Sequence, residues 1–160
     1  CWLLHLVGDL HQPLHAAARC DSDLPNGDQG GNFLYVTRQA GGGPTRLHSV
    51  WDSTLGFDEK YDTIKGTARD ISMKVEVAEA ERKVKDPAKW ANESFELAKA
   101  NVYNFKGKQI DWVIDTDSHP PSTAPKLPEG YETEATTMAR KRAALAGYRL
   151  AEMLKAALAD

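Results

Sequence analysis

His5 and Asp9 stand four residues apart in an apolar segment, and His48 and Asp52 repeat that spacing. On a helix such a pair lies on one face, one turn apart. An imidazole nitrogen and a carboxylate oxygen so placed can hold a metal ion from a single rigid element, and both are good zinc ligands. His15 follows Asp9 beyond Pro13 and offers a further ligand. Catalytic zinc sites use about three protein ligands and leave a position open for water. Either pair alone reads first as an ordinary satisfied polar pair. Two pairs and a further histidine, in a chain with 5 histidines, point to a metal centre. Asp9, flanked by Leu6, Val7 and Leu10, would be costly to bury without a cation or strong hydrogen bonds. His11 and His119 do not fit the spacing; His11 is expected to make structural or solvent contacts, and His119 falls in a Pro-rich loop.

The elements that must position these groups are mostly helical. Trp2 to about Leu10 reads as an apolar helix, and Pro13 bends or ends it. Residues 21–31 form a polar loop. Phe33–Val36 reads as a strand, Gly41–Pro44 as a turn, and Thr45–Leu47 as the returning strand of a small hairpin. A short helix carries His48 to Asp52. Helical patterning then runs over 62–84, and Ile64, Ala68, Ile71 and Val75 share a face. Asp86-Pro87 starts a helix that Gly107 is expected to close. The segment 115–128 holds Pro120, Pro121, Pro125 and Pro128 and reads as a loop, and the last helix runs from about Glu132 to Ala157. The expected fold is all-α, mainly helical, with one small β-hairpin.

Composition sets the bounds. With 160 residues, 41% of them hydrophobic and 27% charged, the chain fits one folded domain with a real core. Its apolar stretches are too short to cross a bilayer. Lys plus Arg is 20 against 23 Asp plus Glu, a net charge of -3. That excludes a DNA-coating role resting on a basic field, but not action on a phosphodiester where metal ions supply local positive charge. Cys1 and Cys20 are too few for a disulfide scaffold and are either paired or free. The opening Cys1–Val7 reads like the middle of a buried helix, so upstream sequence is expected.

His5-Leu6-Val7-Gly8-Asp9-Leu10-His11-Gln12-Pro13-Leu14-His15 resembles the central zinc motif of the S1/P1 nuclease family. Gly30-Gly31-Asn32 after an acidic loop, and Leu47-His48-Ser49-Val50-Trp51-Asp52, match further motifs in order and spacing. Weaker likeness at Trp90–Ser94 and Ala146–Ala151 extends the resemblance over nearly the whole chain, with little in 57–86 or the Pro-rich loop. The resemblance implies a mainly helical, phospholipase C/P1 nuclease-like fold with three zinc ions at the base of a cleft. It implies that His5 and Asp9 bind the first zinc, with Asp9 bridging to a third, and that His15, His48 and Asp52 bind the second. It also implies that Gly30 and Asn32 shape a nucleobase pocket, while Gly30-Gly31 reads equally as a turn needing positive φ. The family's other ligands and its catalytic Asp come from upstream sequence and have no counterpart here. Residues 1–160 are therefore expected to be the C-terminal part of one domain whose N-terminal part is missing. Arg46 stands where the family usually has Asn, and its disulfides are not visible, as in a bacterial member.

The resemblance implies a zinc-dependent endonuclease that cleaves single-stranded DNA and RNA to 5′-phosphorylated products, with 3′-nucleotidase activity compatible. It also implies a secreted or periplasmic location and no obligate protein partner. The isolated chain is expected to be weakly active or inactive. Two alternatives stand beside this: a zinc-dependent phospholipase C-like phosphodiesterase, and a non-catalytic helical binding module whose His/Asp pairs are polar core links. Trp51 is expected in the core and Trp90 and Tyr148 between helices, with Arg149 paired to a carboxylate such as Glu93. The sequon Asn92-Glu93-Ser94 is discounted because it falls in a helix, and the Lys and Arg of 60–108 read as a solvated face.

Overall fold

Leu34, Tyr35 and Val36 favour extended backbone and form β1 (Leu34–Val36), buried along its whole length. It pairs antiparallel with β2 (Thr45–Arg46), the expected hairpin. This computed structural model describes residues 2–58, 60–116 and 120–159. Cys1 and His119 lie outside them, so the expectations placed on those two are not addressed by it. The helices are α1 (Trp2–Asp9), α2 (Leu47–Asp52), α3 (Tyr61–Lys74), α4 (Glu79–Arg82), α5 (Pro87–Leu97) and α6 (Tyr131–Ala157). The fold is mainly helical with small β elements, as expected.

The details depart from expectation in four places. The hairpin gains a third strand, β5 (Val113–Ile114), antiparallel to β1 on its other edge. The helix of 62–84 is broken: Val75 turns extended, Val77 buries against Ile71, Ala144 and Leu145, and α4 restarts after Ala78. The helix opened by Asp86-Pro87 widens at Leu97 into a π-helical turn, Ala98–Val102, and ends there. Gly107 instead forms, with Lys106, a two-residue turn with positive φ at both positions, joining β3 (Asn104–Phe105) to β4 (Lys108–Gln109). Finally, α1 is not a buried helix within this chain: Val7 is buried, but Trp2, Leu4 and Leu6 are exposed.

The main core gathers Leu14, Leu34, Val36, Leu47, Val50, Trp51, Val102, Leu127 and Tyr131. Trp51 is in the core, as expected. Its Nε1 donates to the Tyr131 hydroxyl (3.0 Å), which donates to the Val102 carbonyl (2.7 Å), so the aromatic polar atoms are paired.

A buried ionic cluster ties α5 and α6 to the chain leaving α1. The Arg149 guanidinium is fully buried and grips Glu93 with two hydrogen bonds of 2.7 Å, the pairing read from sequence. It also donates to the Glu81 carbonyl and lies over the Trp90 ring. Arg142 donates to Glu93 (2.8 Å), to the Ser94 hydroxyl (2.9 Å) and to the His11 carbonyl (3.1 Å). Ser94 Oγ in turn donates to the Leu10 carbonyl (2.6 Å). Burial works to raise the Glu93 carboxyl's pKa, but the two arginines overcome it and hold the group below the usual carboxylate range.

His11 completes the cluster as a structural residue. Its Nδ1 faces the Val7 carbonyl (2.7 Å), and its Nε2 faces Arg149 Nη1 (2.9 Å). The arginine can only donate, so Nδ1 carries the ring proton. Burial, reinforced by the two neighbouring arginines against the pull of the Val7 carbonyl, pushes the His11 pKa down to about 4.

Among the glycines, Gly30 makes the closest approach to a neighbouring backbone. At φ +64°, a Cβ built there would stand 2.3 Å from the Leu14 carbonyl oxygen. Three stability measurements follow from these contacts. Gly30→Ala should destabilise the chain by more than about 2 kcal/mol in a urea titration. Gly8→Ala in α1, where nothing lies within 4 Å of an added Cβ, should be neutral or stabilise by about 0.5–1 kcal/mol. Arg149→Met should cost about 3–5 kcal/mol in the same titration, because it leaves Glu93 with only part of its buried cationic partnership.

Candidate metal centre

α1 ends at Asp9, and the chain turns through backbone hydrogen bonds from His11 to Gly8 and from Gln12 to Asp9 (3.0 Å each). Arg142 and Ser94 hold the carbonyls of this turn from below. A single 3-10 turn, Pro13–His15, follows; Pro13 opens it and the Gln12 side chain caps it by accepting from the Leu14 amide. Leu14 anchors the turn in the core, and His15 projects outward from it.

The second half of the site comes from α2. Leu47, Val50 and Trp51 bury one face of that helix, and His48 and Asp52 occupy another. The His48 amide donates to the Gly31 carbonyl (3.3 Å), and His48 Nδ1 lies 2.8 Å from the Gly30 carbonyl. A carbonyl can only accept, so Nδ1 bears the proton and Nε2 presents its lone pair. Asp28, fully buried, holds this loop by accepting from the amides of Gly30 (3.0 Å) and Arg19 (2.9 Å) through Oδ1.

The five residues singled out for metal binding lie in one string. His5 Nε2 is 3.2 Å from Asp9 Oδ2, and Asp9 Oδ1 is 3.8 Å from His15 Nδ1. His15 Nε2 is 3.4 Å from Asp52 Oδ1, and Asp52 Oδ2 is 3.3 Å from His48 Nε2. The His15 and His48 rings lie 4.9 Å apart, centre to centre. His5 is the most exposed member and His48 the least. Asp9 is only half-buried, because Leu6 beside it faces outward; the desolvation expected for it is partial.

His15, His48 and Asp52 each offer a ligand atom within 4.8 Å of the others. Two ligands at about 2.0–2.1 Å from a tetrahedral ion stand about 3.3–3.4 Å apart, which is the separation of both imidazoles from the Asp52 carboxylate. The donor set of two imidazole nitrogens and a carboxylate suits zinc chemistry. His48 also has its Nδ1 turned to an acceptor, the Gly30 carbonyl, an arrangement that orients a ligating histidine. The residues present therefore fit a divalent metal ion.

Gln12 was not singled out by spacing. Its Nε2 donates to Asp52 Oδ1 at 2.9 Å, across a sequence separation of 40. Gly30 serves the site through its backbone, as the carbonyl that faces His48, and Asn32 Nδ2 donates to the Gln29 carbonyl (2.9 Å) at the rim of the same loop. A cavity of about 500 Å³ opens beside Asp52, lined by Ser49, Ser53, Gly56, Phe57, Asp58 and Ile64. Arg46, the departure from the family pattern, donates to the Tyr35 hydroxyl (3.2 Å). Among the described residues the Cys20 thiol has no disulfide partner.

The profile of the S1/P1 Nuclease family matches residues 1–159. Nuclease S1 of Aspergillus oryzae (strain ATCC 42149 / RIB 40) is 39% identical over 54 residues, which are 34% of this chain and 15% of that protein. The matched region thus spans well under two thirds of that relative. With the family's motifs falling on the elements that bring His15, His48 and Asp52 together, the chain belongs to the S1/P1 nuclease family.

Proposed function

We propose that this chain carries part of the zinc centre of a hydrolase that cleaves phosphodiester bonds in single-stranded DNA and RNA, releasing 5′-phosphorylated products. The observation that carries the reading is the convergence of His15, His48 and Asp52 at ligand spacing, with His5 and Asp9 continuing the string. In this reading His15, His48 and Asp52 hold one zinc, while His5 and Asp9 serve the neighbouring ions. Bound zinc supplies Lewis acidity, which acidifies water and neutralises phosphate oxygens.

The chain's own residues do the positioning. The Gly30 carbonyl holds His48 with Nε2 outward. Gly30 and Asn32 border the base, and an unpaired base enters such a pocket more readily than a paired one. Metal-centred recognition of phosphate agrees with a net charge of -3. Family membership supports the wider reading: residues 1–160 form the C-terminal part of one domain, the remaining ligands and the catalytic Asp lie upstream, and the protein is secreted or periplasmic. 3′-Nucleotidase activity is compatible with the same centre.

In the full-length protein, His48→Ala should lower turnover on single-stranded DNA at least about 100-fold and reduce bound zinc, whereas His119→Ala should leave both unchanged. Equal loss in both variants, or in neither, would count against the assignment. Parallel assays on single-stranded DNA and on a choline phospholipid separate the nuclease from a phospholipase C-like enzyme. A zinc-free, inactive protein would leave the helical binding module.

A further inference from the structure

We infer that Gln12 is a positioning residue for the metal centre: its carboxamide joins the turn that carries His15 to the carboxylate of Asp52. The inference rests on the metal reading above.

The carboxamide sits between two partners of opposite kind. On one side the Leu14 amide, a donor, points at Oε1; on the other, Asp52 Oδ1, an acceptor, lies 2.9 Å from Nε2. The amide orientation is therefore fixed from both ends, since a flipped group would set donor against donor and oxygen against carboxylate. The Asp52 carboxylate is half-exposed at the end of a six-residue helix, and besides this bond it meets only the longer contacts to His15 (3.4 Å) and His48 (3.3 Å) among the hydrogen bonds and ion pairs of the described residues. With the Gln12 bond in place, Oδ1 is engaged by Gln12 and Oδ2 is directed at His48 Nε2, 3.3 Å away. The same side chain caps the turn that presents His15. Gln12 thus sets the distance between ligands from two segments 37 residues apart in sequence. Outer-sphere hydrogen bonds to metal ligands typically change affinity 10- to 100-fold.

Two substitutions separate capping from positioning. Gln12→Asn keeps a good helix-capping amide but shortens its reach by about 1.5 Å, one carbon–carbon bond, so the Leu14 contact persists and the Asp52 contact is lost. Gln12→Met keeps the length and loses both. In the full-length protein, with zinc affinity measured against a chromophoric chelator, both variants should bind zinc 10- to 100-fold more weakly than the parent. Only Gln12→Met should also lower the urea midpoint of the metal-free protein. Zinc affinity within twofold of the parent in Gln12→Asn, while His48→Ala loses zinc, would overturn the inference. Unchanged affinity in His48→Ala itself would instead overturn the metal reading beneath it. If Gln12→Asn also lowers the metal-free midpoint, the visible spectrum of the cobalt(II)-loaded protein decides: shifted ligand-field bands support a positioning role, and bands identical to the parent's overturn it.

Discussion

The candidate metal centre depends on a place where two backbone segments touch with no side chain between them. Gly30 lies so close to the Leu14 carbonyl that a Cβ would collide with it at 2.3 Å. Leu14 belongs to the turn that carries His15, and Gly30 belongs to the loop whose carbonyl orients His48. The next residue, Gly31, accepts the His48 amide and would crowd it if it bore a Cβ. Two adjacent glycines at positive φ thus lock the first ligand segment against the second. Buried Asp28 stabilises the loop through the Gly30 and Arg19 amides.

Beneath this contact the helices form a rigid floor. Ser94 and Arg142 hold the carbonyls of Leu10 and His11, immediately after Asp9. Arg149 links Glu93 to His11 from below. The cluster concentrates two arginines and a neutral histidine around one carboxylate, and its charges are satisfied by hydrogen bonds within α5 and α6. Its consequence for the site is positional: α1 and the 3-10 turn cannot move independently without breaking charge-assisted bonds. The apolar core fixes the other half, since Trp51 is bonded through Tyr131 to Val102 and carries α2 with it.

Much of this was legible in the sequence because the signals were local or chemically distinctive. The i, i+4 pairs, the Asp86-Pro87 helix start, the strand at Leu34–Val36 and the long last helix each follow from a few adjacent residues. Pairing of Arg149 with a carboxylate such as Glu93 was expected as a structural link between helices, and the structure has it. The misses had non-local causes. Helix 62–84 breaks at an extended Val75, which lets Val77 join Ile71, Ala144 and Leu145 in a buried cluster. Strand β5 is two residues long and exists only because the edge of β1 offers it hydrogen bonds. Gln12 carries no signature of its own, because its partner Asp52 is distant in the chain. The segment read as the middle of a buried helix exposes Trp2, Leu4 and Leu6 within this chain.

Convergence of His15, His48 and Asp52 on one ion is the claim on which the functional reading turns. Anomalous diffraction at the zinc edge, from crystals of the zinc-loaded full-length protein, tests it most directly. A peak is expected about 2.0–2.2 Å from His15 Nε2, His48 Nε2 and an Asp52 carboxylate oxygen. Zinc peaks elsewhere in the molecule, with none among these three side chains, would contradict it.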